Sequence, residues 1–131
     1  MTRSKLREEL FKLLFRVEFN EREEMCEQQQ LFFEEETAIS ENERDEIKAK
    51  CDAILAKLDE IDASLNEKIT GWNTERVGKI ELTILRIAVY EIKDDDGVPT
   101  GVAINEAVEL AKKFGQDGAS SFVNGVLAKF S

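Results

Sequence analysis

The chain has 131 residues, which fits one domain with a single hydrophobic core, and it is 42% hydrophobic and 35% charged. It contains no histidine, its cysteines Cys26 and Cys51 lie far apart, and no apolar stretch is long enough to cross a membrane. We therefore expect no enzyme activity, no cofactor, no metal site and no membrane span. The N-terminus leads into an amphipathic segment rather than an apolar signal sequence, which predicts a cytoplasmic protein.

The first predicted helix covers residues 4–19, with Ser4 as its N-cap, and it is the one basic element of the chain. The first 20 residues carry five basic and three acidic groups, although the net charge of the whole chain is −10. Apolar residues recur three or four positions apart and predict one buried stripe. The pattern leaves open whether Phe11 and Phe15, beside this stripe, are buried or partly exposed. The stripe consists of Leu6, Leu10, Leu13, Leu14 and Val17.

A second helix is predicted over residues 24–35, and the start of a third is marked by Ser40 and Glu43, the pattern of a reciprocal capping box. Apolar residues then repeat at steps of four and three over residues 47–65, which predicts one long helix within a helical bundle, with a coiled coil as the alternative. The acidic excess of this region is interpreted as a solvated outer face. The alternative is a surface that repels wrong anionic partners.

The pattern changes around Gly71 and Trp72, and a central helix is predicted over residues 77–92 because apolar residues cover nearly its whole circumference. Arg86 lies in this apolar stretch. It is interpreted as a structural cation bonded to a carboxylate or to helix-end carbonyls, while a role in binding a ligand stays open. Two more helices follow, over residues 102–114, closed by Gly115, and over residues 119–130.

Three segments near the C-terminus carry a family resemblance. Residues 84–92 read I-L-R-I-A-V-Y-E-I, residues 102–112 read V-A-I-N-E-A-V-E-L-A-K, and residues 122–127 read F-V-N-G-V-L. Together with Phe114-Gly115, these segments resemble, in the same order, the signature motifs of the NusB family. The resemblance is strong over residues 76–131 and is compatible in helical pattern over residues 1–75.

The resemblance implies an all-α fold, a compact bundle of about seven helices in two packed helical subdomains, within a single RNA-binding domain of residues 1–131. It implies a transcription antitermination factor that binds single-stranded boxA RNA of ribosomal RNA leaders together with NusE, a small-subunit ribosomal protein. The pair would act in the antitermination complex of RNA polymerase, with no cofactor. Some family members form homodimers through the surface that otherwise meets RNA, so monomer and homodimer both stay open.

The family's RNA surface centres on an arginine-rich start of the first helix, which is thinner in this chain. Arg7 matches an arginine of the family pattern, whereas Lys12 and Phe15 stand at the usual glutamine and tyrosine positions. Phe122 stands at a position associated with the RNA surface, although a core role is equally open, and Glu81 is interpreted as facing the partner or the RNA. The predicted RNA-binding residues are Arg3, Lys5, Arg7, Lys12, Phe15, Arg16 and Phe122, and the predicted partner-binding residue is Glu81.

Two other functions are weighed. A NusB-like helical domain also precedes the catalytic domain of some ribosomal RNA cytosine methyltransferases, but these 131 residues contain no cysteine nucleophile motif, so we do not expect that function. A helical module for protein–protein interaction without RNA binding is favoured by the net charge of −10 and the thin basic helix. RNA binding with and without NusE separates these functions.

Overall fold

The computed structural model describes residues 1–69, 74–75 and 77–131. Within these ranges the chain forms seven α-helices and divides into two compact units, Met1–Ala56 and Lys57–Ser131. The all-α class and its two helical subdomains are therefore confirmed. None of the described helices is long and apolar enough to span a membrane. The predicted change of pattern at Gly71 and Trp72 lies outside the described residues.

The first unit begins with α1 (Arg3–Phe15), which is shorter than predicted and continues as a 3-10 turn over Arg16–Glu18. The predicted N-cap Ser4 is wrong, because the hydroxyl of Thr2 accepts the hydrogen bond from the Lys5 amide at 3.1 Å. Val17 is only half-buried, since it lies in the 3-10 turn. The other four residues of the predicted stripe are buried: Leu6, Leu10, Leu13 and Leu14.

Two further helices, α2 (Met25–Glu35) and α3 (Glu41–Ala56), complete this unit, and α3 packs against α1. The predicted capping box is confirmed, because the Ser40 amide donates to Glu43 Oε1 at 3.0 Å and the Glu43 amide donates to Ser40 Oγ at 3.3 Å. The single long helix predicted over residues 47–65 is wrong, since Lys57 leaves the helical conformation with φ −111° and ψ 12°. The apolar repeat runs unbroken through Lys57 because the helices on both sides of it have a buried face.

The second unit contains α4 (Leu58–Lys68), α5 (Lys79–Asp94), α6 (Thr100–Phe114) and α7 (Ala119–Ala128). As predicted for a central helix, α5 packs against α4, α6 and α7, and residues 82–89 are all buried. Its buried part is narrower than predicted, because Ile80 and Ile92 lie near the helix ends and are half-buried.

Two glycines shape the turn that joins α6 to α7. Gly115 ends α6, as predicted, and donates its amide to the Ala111 carbonyl at 2.9 Å. A Cβ at this position would stand 2.6 Å from Cβ of Ala119, so the turn requires a glycine. Gly118 has φ +88°, a left-handed conformation that favours glycine, and it sets the direction in which α7 begins.

Candidate nucleic-acid interface

The cations predicted on α1 differ in exposure. The Arg3 side chain is 70% exposed and pairs with Glu46 of α3 at 2.7 Å, whereas Arg7 is buried. Both arginines line a small pocket of about 30 Å³ between α1 and α3, together with Glu46 and Lys50. Lys50 adds a cation that periodicity could not assign to this pocket, because it lies on a different helix.

Lys5 and Lys12 share one carboxylate oxygen. The ammonium group of each lies 3.3 Å from Oε1 of Glu9, a residue that is only 3% exposed. Oε2 of Glu9 is buried and has no hydrogen-bond partner among the described residues. Lys5 also contacts Glu8 at 3.3 Å, and the hydrogen bonds to Glu8 and Glu9 raise the pKa of Lys5. The side chains of Lys5 and Lys12 are 46% and 38% exposed, but they are paired with acidic neighbours on the same helix.

Arg16 is tied to α2. Its guanidinium donates to the backbone and side-chain oxygens of Gln28 at 3.3 Å each, and to Glu35 at 3.2 Å. The same group lies 5.3 Å from the centre of the Phe32 ring, a cation–π contact. These contacts join the end of α1 to α2, so a role of Arg16 in RNA binding stays a prediction.

Phe15 lies in a row of three aromatic rings that runs from the core to the surface. Its ring stacks on Phe11 with centroids 5.8 Å apart and meets Phe19 edge to face at 5.2 Å. Phe11 is buried, Phe15 is half-buried and Phe19 is 63% exposed, which answers the question that the sequence left open for this flank. Sequence reasoning did not single out Phe19 as a candidate contact.

Two predicted residues of the second unit, Glu81 and Phe122, face the same cleft, which has a volume of about 280 Å³. They come from different helices, α5 and α7, and Phe122 is half-buried rather than fully in the core. The cleft is lined by Val77, Gly78, Glu81, Asp117, Gly118, Ala119 and Phe122.

The local backbone positions both side chains at this cleft. Glu81 lies in the first turn of α5, and its carboxylate lies over Gly78, where an added Cβ would collide with Oε2. The left-handed Gly118 starts α7, and its carbonyl accepts the Phe122 amide at 3.0 Å. An aromatic face beside carboxylate acceptors suits an unstacked nucleobase, which can stack on the ring and donate its amino group. Asp117 and Gly118 were missed, because only the fold brings their loop beside α5.

Comparison with known proteins identifies the family. The sequence profile of the NusB family matches residues 4–131. A protein of Agathobacter rectalis named transcription antitermination protein NusB is 56% identical to this chain over 131 residues, which is the full length of both chains. The chain belongs to the NusB family. A NusB of Lachnoclostridium phytofermentans is 48% identical over 129 residues, 98% of each chain.

Solved NusB structures share the fold. The structure of Thermotoga maritima NusB superimposes with a TM-score of 0.87 at 27% identity, covering 99% of this chain and 90% of that one. A structure of the antitermination factors NusB and NusE in complex with double-stranded RNA gives a TM-score of 0.83 at 26% identity, covering 99% of this chain and 97% of that one. The NusB likeness therefore extends through residues 1–75, where the sequence motifs alone were weak.

Proposed function

We propose that the chain is a transcription antitermination factor that binds single-stranded boxA RNA of ribosomal RNA leaders together with NusE, and that it acts in the cytoplasm as an adaptor without catalysis. The observation that carries this proposal is the full-length identity of 56% to a NusB antitermination protein. The solved complex of NusB and NusE with double-stranded RNA, a structure with the same fold, supports RNA and NusE as the partners. The pair would join the antitermination complex of RNA polymerase.

In this proposal the cleft of the second unit reads bases. Phe122 offers a half-buried ring, and Glu81 offers a carboxylate that accepts from a base amino group or from NusE. Neither group attracts phosphate, since a carboxylate repels it and a phenyl ring has no charge. The cleft would therefore contribute to the preference for one RNA sequence over another rather than to overall affinity.

The exposed cations of α1 would supply phosphate contacts in the first unit. Arg3, Lys5 and Lys12 are exposed enough to reach a backbone, and Phe15 offers part of its ring beside them in sequence. Each of these three cations already has an acidic partner, at 2.7 Å for Arg3 and at 3.3 Å for Lys5 and Lys12. The binding energy from each cation is therefore only the difference between its interaction with an RNA phosphate and its interaction with that carboxylate. This predicts weak RNA binding by the chain alone.

The test is boxA binding measured at one fixed salt concentration, by the chain alone and with NusE. Because the net charge of −10 repels a phosphate backbone, we expect weak binding alone and tighter binding when basic NusE is present. A scrambled single-stranded RNA and a double-stranded boxA RNA serve as controls. Equal affinity for boxA and scrambled RNA in the presence of NusE would rule out the proposed function.

The role of the cleft is tested by Phe122→Leu, with Phe33→Leu as a matched control because Phe33 is also half-buried but lies on α2. We expect Phe122→Leu to reduce the preference for boxA over scrambled RNA, while Phe33→Leu leaves that ratio unchanged. An unchanged ratio for both folded variants would remove Phe122 from the site.

A second candidate function is a protein-interaction module that binds NusE and no RNA. The observation that favours it is the local balance of charge on α1, where Glu9 binds both Lys5 and Lys12 and where Arg16 is held by α2. The same binding experiment separates the two functions: tight NusE binding without any boxA binding, in the presence or absence of NusE, would establish the second.

A further inference from the structure

Two lysines of the second unit converge on the ring of Phe130, just after the last residue of α7, and a third contacts the backbone of one of them. The ammonium groups of Lys68 and Lys93 lie 6.0 Å and 5.7 Å from the ring centroid. The ammonium group of Lys129 donates to the backbone carbonyl of Lys68 at 2.9 Å, and that of Lys93 donates to Ser64 Oγ at 2.7 Å. We call Lys68, Lys93, Lys129 and Phe130 the Phe130 cluster.

Helix ends explain why these lysines gather. Lys68 and Lys93 occupy the last turns of α4 and α5, and Lys129 is the C-cap of α7. The negative end of a helix dipole stabilises a cation, and the ring of Phe130 adds a cation–π contact to two of them. The three helix ends together concentrate three positive charges on one part of a chain whose net charge is −10.

Lys68 and Lys93 differ from Lys48 and Lys57 in their acidic neighbours. In the described part of the chain, neither Lys68 nor Lys93 has a carboxylate within 4.0 Å, whereas Lys57 pairs with Asp94 at 2.9 Å and Lys48 pairs with Asp52 at 2.9 Å. Like charges that lie close together repel one another. An external anion that contacts these ammonium groups would offset their positive charge.

We propose that the Phe130 cluster binds backbone phosphates of RNA that extends beyond the nucleotides read in the Glu81–Phe122 cleft. Lysine ammonium groups act as point charges that accept many phosphate orientations, which suits a backbone contact without base reading. Lys68 and Lys93 already contact the ring, and Lys93 also donates to Ser64, so their side chains lose little freedom when a phosphate arrives. This inference rests on the proposed RNA-binding function.

The experiment compares two RNAs, boxA alone and boxA with flanking nucleotides on both sides, each in the presence of the same concentration of NusE. The test variant is Lys68→Ala/Lys93→Ala, and the control is Lys112→Ala/Lys113→Ala, which removes the same charge from α6. The measured quantity is the salt slope, the slope of the logarithm of the RNA-binding constant against the logarithm of the salt concentration. For the long RNA we expect the test variant to reduce the magnitude of this slope by about 0.7 for each phosphate that the removed lysines would neutralise. For the short RNA we expect the test variant to have the same salt slope as the wild-type chain. For the long RNA, Lys68→Arg/Lys93→Arg should keep the wild-type slope, because arginine retains the charge.

The outcomes separate this inference from the proposed function. If the wild-type chain fails to bind even the short boxA RNA with NusE, the proposed function and the inference both fail. If the wild-type chain binds, but the test variant and the control lower the long-RNA slope equally or not at all, only the inference fails. Weaker binding of NusE itself by the folded test variant would also overturn it, because the cluster would then be a protein contact.

Discussion

Arg86 of α5 binds Asp62 of α4 through two parallel hydrogen bonds, from Nε to Oδ1 at 2.9 Å and from Nη2 to Oδ2 at 2.8 Å. The arginine side chain is 8% exposed and the aspartate 23%, so most of the pair is removed from water. This confirms the interpretation of Arg86 as a structural cation bonded to a carboxylate. The pair joins the two helices, α4 and α5, on either side of the segment that contains the undescribed residues.

Removing one partner of this pair should destabilise the fold, since it leaves the other charge largely buried. We expect Arg86→Ala or Asp62→Ala to lower the free energy of unfolding by about 3 kcal/mol, measured by urea denaturation. The double variant Arg86→Ala/Asp62→Ala should lose less than the sum of the two single variants, because no unpaired charge remains. Simple additivity in this cycle would show that the two groups are not coupled.

The buried face of α5 offers a second test of the fold. Ile84 and Ile87 are at most 1% exposed, so alanine at either position leaves a cavity in the core of the second unit. We expect each substitution to lower the free energy of unfolding by about 2–5 kcal/mol. Val102→Ala, at a site that is 45% exposed on α6, serves as the control and should cost under about 0.5 kcal/mol. Costs as small as the control's would place α5 at the surface.

The two cysteines should differ in reactivity toward a thiol-alkylating reagent. Cys26 is exposed and Cys51 is fully buried, and burial raises the pKa of the Cys51 thiol from 9.0 to about 11. Since the thiolate is the nucleophile, we expect rapid labelling of Cys26 and protection of Cys51 in the folded chain at mildly alkaline pH. Peptide mass spectrometry measures both. The Cys26→Ser variant, which isolates Cys51, should take up label only in urea, and rapid labelling without urea would contradict the buried position.

The same shift predicts how pH affects stability. Because the pKa of Cys51 is higher in the folded chain than in the unfolded chain, its contribution is complete below pH 9 and is lost as the pH rises toward about 11. We expect the free energy of unfolding to fall less between pH 9 and about pH 11 in Cys51→Ala than in the wild-type chain. The cavity left by the substitution lowers the free energy of unfolding equally at every pH, so it does not affect this comparison. Urea denaturation of both chains across this range gives the difference, and parallel curves would show that Cys51 does not contribute.

Local signals in the sequence were sufficient for some features of the fold. The capping box of Ser40 and Glu43 depends on residues three positions apart, and the buried run of α5 follows from composition alone. The break at Lys57 had no such signal, because neither glycine nor proline marks it and the apolar repeat continues on both sides. Helix existence was therefore predictable, whereas this boundary depends on the fold.

The candidate site shows the same limit. Glu81, on the central helix, and Phe122, in a family motif, were predicted separately, but only the packing of α5 and α7 brings them to one cleft with Asp117. On α1, Lys5 and Lys12 were predicted as RNA-binding residues without the acidic residue that both of them bind. Glu9 lies four residues after Lys5 and three before Lys12, so helical spacing could have found it.

The contact of Glu9 with both lysines leads to the last prediction. If Lys5 and Lys12 bind RNA phosphates, the Glu9 carboxylate competes with RNA for the same two ammonium groups. Lys12→Ala should then reduce the magnitude of the salt slope by about 0.7, and Glu9→Gln, which keeps the shape but removes the charge, should tighten boxA binding. Glu60→Gln on α4 is the matched control, because it changes the net charge equally at an exposed site. An unchanged slope for Lys12→Ala, together with equal affinities for the two glutamine variants, would place the RNA site away from α1.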